Sequence, residues 1–600
     1  MKKWIISMMA VATLLLAGSA LADGSITLSP DGSTSTDASV RIDGQTVTIT
    51  QAGTYQIAGT LDDGALIVES GENAKITLVL GGVSIKNTTG AAIQIATADD
   101  VTIELSEDTT NVLQSGEEVD IATATESEEA SGGALQSKVD LKIKGKGSLT
   151  VLGYLNNGIH CTKDLKIKNG NISVTALGHG IKGKNSVTVS GGTVTVTSGK
   201  DGITSDETEN EEKGFVTIED GEIIITSAGD GVSAETTLTV TGGVISIISG
   251  GGSANAQQKT DNMRGWWDFD NSASDDDSVS CKGLKAGKAM TISGGSITID
   301  AQDDALHTDG DMTISGGECI LSTGDDGAHA ALSLTVLDGK ITVLTSYEGL
   351  EANQITLADG ELDITATDDG INANGGSDGF SGGFGGGMGG SFGGRRNDTN
   401  NHSGDMTPPD GNAPSGNPPT MPGQDAADST TTDDTTDKQP VLLITGGKIT
   451  VNADGDGLDS NGNLRVEGGD ITINGPANGG NGALDIGTEN GGAGVIAGGT
   501  LIALGTSSMA ENFGSTSTQC AFLVTMNSFG AGETITITDS QGNVLYTGVT
   551  VKSANSVVFS SADLVVGETY TVTIGSTSAS VTQSSTVVGN SNGFGGFGRH

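Results

Sequence analysis

Apolar and polar residues alternate along this chain in short runs, and the runs come three to a unit. Gly349-Leu350-Glu351-Ala352, then Gln354-Ile355-Thr356-Leu357-Ala358, then Glu361-Leu362-Asp363-Ile364-Thr365 is one such unit. Alternation of Ile, Leu and Val with polar residues turns one face of each strand inward, and no unit has a helical period. Units open on Gly and an apolar residue, at Gly158-Ile159, Gly180-Ile181, Gly202-Ile203, Gly231-Val232, Gly283-Leu284, Ala305-Leu306, Gly327-Ala328, Gly349-Leu350, Gly370-Ile371 and Gly457-Leu458. The step is about 22 residues from 158 to 202 and again from 283 to 349. One unit cannot bury its apolar face alone, so a strict period predicts stacking. The expected fold is all-β: a right-handed parallel β-helix of about 22-residue coils about 4.8 Å apart, with a small C-terminal β unit. Asp-Gly and Gly-Gly are expected to supply positive φ at its corners.

The pattern also divides the chain. Residues 1–22, with Lys2, Lys3, an apolar run from Trp4 to Leu16 and Ala20-Leu21-Ala22, read as a secretory signal peptide. A cap and first coils are expected over 23–132 and the regular repeat over 133–510. Insertions interrupt the repeat at 251–281 and 374–440, the second rich in Gly, Pro, Ser and Asp and expected to be disordered. The period is lost after 510, so 511–585 is expected to form the C-terminal β unit and 586–600 a flexible tail. The signal peptide implies a secreted or periplasmic protein, and no later run is long and apolar enough to span a membrane. Cys161, Cys281, Cys319 and Cys520 sit at different phases of the repeat, which predicts free, buried or half-buried thiols. Oligomeric state is not legible.

Charge narrows the partners. A net charge of −46 disfavours nucleic acid and other polyanions as direct ligands and favours cations. The acids are not scattered. Asp201, Asp230, Asp304, Asp326, Glu348, Asp369 and Asp456 precede the opening residue of their units, with Asp303, Asp325 and Asp368 one place earlier. Two places after the opening residue stand His307, His329, Glu351, Asn372 and Asp459. Turn chemistry accounts for Asp201 and Asp230 but not for paired acids or for Glu348 and Glu351. Like charges 4.8 Å apart repel by about 3 to 4 kcal/mol at an effective dielectric of ~20, which calls for a counter-ion. Carboxylate oxygens on adjacent coils can share an ion at a calcium–oxygen distance of about 2.4 Å. The expected Ca2+ ligands are Asp303, Asp304, Asp325, Asp326, Glu348, Glu351, Asp368, Asp369, Asn372, Asp456 and Asp459.

At these residues the chain resembles the secreted carbohydrate-binding β-helix proteins with calcium sites, related in shape to the calcium-dependent pectate lyases. The resemblance is carried by Gly53-Thr54-Tyr55 with Leu78-Val79-Leu80-Gly81-Gly82-Val83-Ser84-Ile85, by Tyr347-Glu348-Gly349-Leu350-Glu351, by Asp368-Asp369-Gly370-Ile371-Asn372-Ala373 and by Ser517-Thr518-Gln519. It implies binding of a polysaccharide, cellulose or an acidic pectic glycan, through a calcium-bearing face.

Two other classes stay open at this point. A pectate lyase needs a Lys or Arg base beside the calcium, for which Lys182, Lys282 and Lys285 are the candidates. The plainer reading of these lysines is charge balance, and of His307 and His329 an outward polar ladder. An adhesin would use calcium only for rigidity. Trp266 and Trp267, adjacent in the first insertion, are the candidate sugar-stacking platform.

Overall fold

The structure, a computed structural model, describes residues 24–124, 132–257, 279–374 and 439–589. Contacts divide the chain into one unit of residues 1–376 with 439–600 and another of residues 377–438, which lies outside the described residues. So do the predicted signal peptide, Trp266 and Trp267, and the end of the predicted tail.

Among the described residues the regular elements of the first unit are all strands, apart from two short 3-10 turns. Its main sheet is built from parallel ladders in which each unit pairs with the next at the same phase. Ile159 pairs with Ile181 and Ile181 with Ile203. Further on, Leu284, Leu306, Ala328, Leu350, Ile371, Leu458 and Leu484 are successive partners. All of them are fully buried, so the inward face of the ladder is one continuous aliphatic core.

The predicted right-handed parallel β-helix is nevertheless corrected. Among the described residues the main sheet joins 43 strands, mainly parallel, of which eight form a closed parallel barrel with many strands outside it, and its registers define no hand. Strands Ser186–Ser198, Phe215–Ser227, Asp311–Thr323 and Ala328–Thr345 run around corners and fuse neighbouring faces into one sheet. Both ends turn antiparallel. Val40–Asp43 pairs with Thr46–Ile49 at one end, and Ala554–Ser560 pairs with Thr500–Gly505 and Ala521–Phe529 at the other. Beyond them lies a separate four-stranded antiparallel sheet of Thr534–Thr538, Val544–Val549, Thr569–Ile574 and Thr577–Thr582. It shares a second core with Phe522, Phe559 and Tyr570, which lacks the layered aliphatic pattern of the first.

Two kinds of glycine explain the bending. Gly192, Gly317 and Gly339 have φ of 90°, 90° and 111°, and they sit inside the long strands, which can therefore turn a corner without ending. The glycines that open the units act differently. A Cβ on Gly327 or Gly349 would lie 2.4 or 2.2 Å from the carbonyl oxygen of the next layer, so close approach rather than positive φ excludes a side chain. The expected role of Asp326-Gly327 as a positive-φ corner is corrected accordingly.

Among the described residues all four cysteines are free, three buried and Cys520 half-buried, and no helix is long and apolar enough to cross a membrane.

Candidate functional site

The opening segments of successive units form one parallel ladder, and it carries two files of polar side chains. One file runs through His160, Lys182, Thr204, Ser233, Lys285, His307, His329, Glu351, Asn372, Asp459 and Asp485, each the register partner of the next. The other is three residues earlier in each unit: Asn157, His179, Asp201, Asp230, Lys282, Asp304, Asp326, Glu348, Asp369 and Asp456.

The second file begins as a backbone device. The N–H of His179 donates to Asn157 Oδ1 at 2.9 Å, that of Asp230 to Asp201 Oδ1 at 3.0 Å, and that of Lys282 to Asp230 Oδ1 at 2.8 Å. Asp326 donates likewise to Asp304 Oδ1 at 3.0 Å, Asp456 to Asp369 Oδ1 at 2.6 Å, and Gly482 to Asp456 Oδ1. A short side chain with a carbonyl-type oxygen thus satisfies the N–H of the next layer, which is why Asp and Asn dominate the file.

The remaining oxygens meet different company along the ladder. In the stretch from 201 to 329 they meet cations of the protein itself. Asp230 Oδ2 is 3.4 Å from Lys285 Nζ. Lys282 Nζ bridges Asp303 and Asp304, 2.9 Å from an oxygen of each. Asp304 Oδ2 also takes His307 Nδ1 at 2.7 Å. His329 Nδ1 lies 3.2 Å from Asp326 Oδ2 and 3.0 Å from Glu351 Oε2. Although burial alone would lower His329, hydrogen bonds to Asp326 and Glu351 push it up to about 11. Burial likewise opposes the charge on Lys282, and Asp304 and Asp303 more than restore it. Asp304 is held below the usual carboxylate range: burial raises it, but the bonds from His307 and the charge of Lys282 prevail.

From 348 onward the pattern changes. Burial pushes Glu348 up to about 10, Asp369 to about 8 and Asp456 to about 7. The charged neighbours acting most strongly on these three are all carboxylates: Asp326, Glu351 and Asp369 on Glu348, Asp456 and Asp368 on Asp369, and Asp485 and Asp368 on Asp456. Asn372, only 4% exposed, donates from Nδ2 to Glu348 Oε2 at 3.0 Å, while its Oδ1 is buried with no hydrogen-bond partner.

Of the predicted calcium ligands, the structure brings Asp303, Asp304 and Asp325 together with one oxygen each within 4.8 Å of the others. It brings Asp326 and Glu351 together as well, with a hydrogen bond between the two side chains and one ligand atom of each, and of His329, within 4.8 Å of the others. Glu348, Asp369, Asn372, Asp456 and Asp459 lie in the two files, and Asp368 stands one residue before Asp369. His307 and His329 are not an outward ladder. They are 8% and 6% exposed, with rings stacked 5.0 Å apart. Of the candidate bases, Lys282 is committed to its two aspartates and Lys182 Nζ is 2.6 Å from Asp206 Oδ2. Lys182 and Lys285 line a cavity of about 450 Å³ with His179, Asp201, Asp206 and Lys288.

Two features were missed in the sequence. Lys282 occupies the acid file, one place before Gly283, and alignment of the units would have shown it facing Asp304. Asp485 continues the outer file, and Ala483-Leu484-Asp485 is hard to see in the sequence because it opens on Ala and follows a longer step.

Fold and site together define an all-β repeat protein with a partly buried, charge-lined ladder. Residues 43–327, just under half of the chain, match the family described as carbohydrate-binding domain-containing protein. A protein of that description from Acetivibrio thermocellus is 35% identical over 192 residues, 29% of this chain and 65% of the relative, so the chain spans a little less than two thirds of that relative. A solved structure titled polysaccharide lyase-like protein from C. thermocellum, a gadolinium derivative, shares 35% identity. That match covers 38% of this chain and 92% of the other, with a TM-score of 0.35.

Proposed function

We propose that this is an exported, non-catalytic protein that binds polysaccharide, cellulose or an acidic pectic glycan, in a calcium-dependent way. The observation that carries the binding reading is the match of residues 43–327 to a carbohydrate-binding domain family. Export rests on the signal-peptide pattern of residues 1–22.

Calcium rests on the chemistry of the donors. The stretch from Glu348 to Asp459 offers only oxygen ligands on these files, with a buried amide oxygen on Asn372 that lacks a partner and acids that raise one another. A hard divalent cation with flexible coordination suits such a set. We place the ion with Glu348, Asp369 and Asn372 rather than with Asp303 and Asp304, where Lys282 already supplies the charge. A polyuronate approaching a chain of net charge −46 would need such bridging cations. Cellulose, being neutral, would depend on them less.

Affinity electrophoresis in polygalacturonate and pull-down on insoluble cellulose, each with calcium or with chelator, test the reading. Retention by either polymer without an unsaturated product supports it. Retention by neither defeats it, and an ultraviolet-absorbing unsaturated product would move the protein to the lyases.

A further inference from the structure

The polysaccharide reading makes no use of the two buried imidazoles. His307 and His329 are register partners in adjoining layers, on backbone fixed by the parallel ladder, and their rings stack at 28° between planes. One ligand atom each from Asp304, His307 and His329 lies within 4.8 Å of the others, and the same holds for Asp326, His329 and Glu351. The nitrogen–oxygen separations in these groups are 2.7 Å for His307 to Asp304, 3.0 Å for His329 to Glu351 and 3.2 Å for His329 to Asp326. A tetrahedral ion with bonds of about 2.0–2.1 Å holds its ligand atoms roughly 3.3 Å apart, so these three pairs need open by only about 0.1 to 0.6 Å.

A second observation is independent of that spacing. The far nitrogen of His307, Nε2, is 3.1 Å from Oδ1 of Asp309, whose side chain is 64% exposed. An outer carboxylate on the far ring nitrogen is the arrangement that orients a metal-ligating histidine and fixes its tautomer. Asp309 also places one edge of the group at the solvent, where an ion can enter.

We infer that Asp304, His307 and His329 form a site for a divalent transition metal of the zinc class, with Asp326 and Glu351 as further oxygen donors and Asp309 orienting His307. Two imidazoles and a carboxylate suit zinc, cobalt or nickel and not calcium, which takes oxygen ligands. Lys282 does not block the site, because it is held equally by Asp303 and can stay there when Asp304 turns to the ion. The metal would clasp adjoining layers at the boundary between the cation-rich and acid-rich stretches of the ladder. The inference stands apart from the calcium and polysaccharide reading and survives its failure.

The test uses the full chain, stripped with chelator and titrated with Co2+ in excess calcium. The expected result is uptake of about one Co2+ per chain with tetrahedral ligand-field absorption, lost in His307→Gln and in His329→Gln, and weakened by about 10–100-fold in Asp309→Asn. X-ray absorption on the unmutated Co2+ protein should show imidazole scattering, and it decides the matter even where a variant does not fold. Absence of saturable uptake, absence of imidazole scattering, or uptake unchanged in the folded double variant H307Q/H329Q overturns the site. Unchanged affinity in D309N overturns the role given to Asp309.

Discussion

The stretches 201–329 and 348–485 of the ladder use the same backbone slot and nearly the same acids, yet they differ in what faces those acids. In the first, Lys282, Lys285, His307 and His329 reach the carboxylates, and Asp304 stays ionised although it is buried, while burial still raises Asp230 and Asp326. In the second, the dominant neighbours of Glu348, Asp369 and Asp456 are other acids, and burial drives all three upward. The comparison teaches that an acidic file is not by itself an ion site. What decides is whether the adjacent file supplies a cation, and it stops doing so after His329.

The sharpest way to break the contrast is to turn the first stretch into the second. Lys282→Met leaves Asp303 and Asp304 without their ammonium, and removing one partner of a buried pair costs about 3 kcal/mol. Urea denaturation should show that loss, with calcium restoring part of it in the variant and little in the parent at this position.

A second effect comes from pH. The folded chain keeps protons on Glu348, Asp369 and Asp456 that the unfolded chain has released above the ordinary carboxylate range. Stability from these groups is therefore full only below the ordinary carboxylate range, declines above it, and is gone once pH has risen through about 7 for Asp456, 8 for Asp369 and 10 for Glu348. His329 acts in the same direction, since its contribution is full below its ordinary value and is lost near pH 11. In chelator, the melting temperature should fall steadily from about pH 5 to pH 9, and calcium should flatten the slope. A slope that calcium leaves untouched removes the metal from the second stretch.

The converse substitution is milder. Glu348→Gln with Asp369→Asn should raise stability in chelator at neutral pH by about 1 kcal/mol, because the amides need take up no protons on folding, and calorimetry should show the calcium affinity reduced. Smallest is Asp201→Ala, which loses the acceptor for the Asp230 N–H and the 3.2 Å contact of Asp201 Oδ2 with His179 Nδ1, together worth about 1 kcal/mol at this half-buried site, whereas Asp201→Asn keeps the backbone bond and should be near neutral. Equal loss in both variants would mean that charge, not the backbone bond, matters there.

Much of the ladder was legible because its period is strict. The openings read from sequence as Ile159, Ile181 and Ile203, or Leu306, Ala328 and Leu350, are direct register partners. The finer architecture was not legible, because hydrophobic alternation does not say whether a strand stops at a corner or continues through it, as Ala328–Thr345 does. The counter-charge was only half visible. Repulsion between stacked acids was counted as if every oxygen faced another acid, whereas one oxygen of Asp201, Asp230, Asp304, Asp369 or Asp456 accepts a backbone N–H and turns its charge aside. His307 and His329 looked outward by counting from the opening residue, but the acids of the other file close over them.

The N–H-to-carboxylate links also have a mechanical meaning. They and the backbone bonds of the ladder all connect one layer to the next, so a pull along the stacking direction loads the layers in series and the weakest junction sets the breaking force. On the assignments above, that junction lies among the acid-only layers from Glu348 onward. Dissolved calcium would then set how much tension the chain bears when its two ends are drawn apart, while the layers stapled by lysine and histidine stay closed.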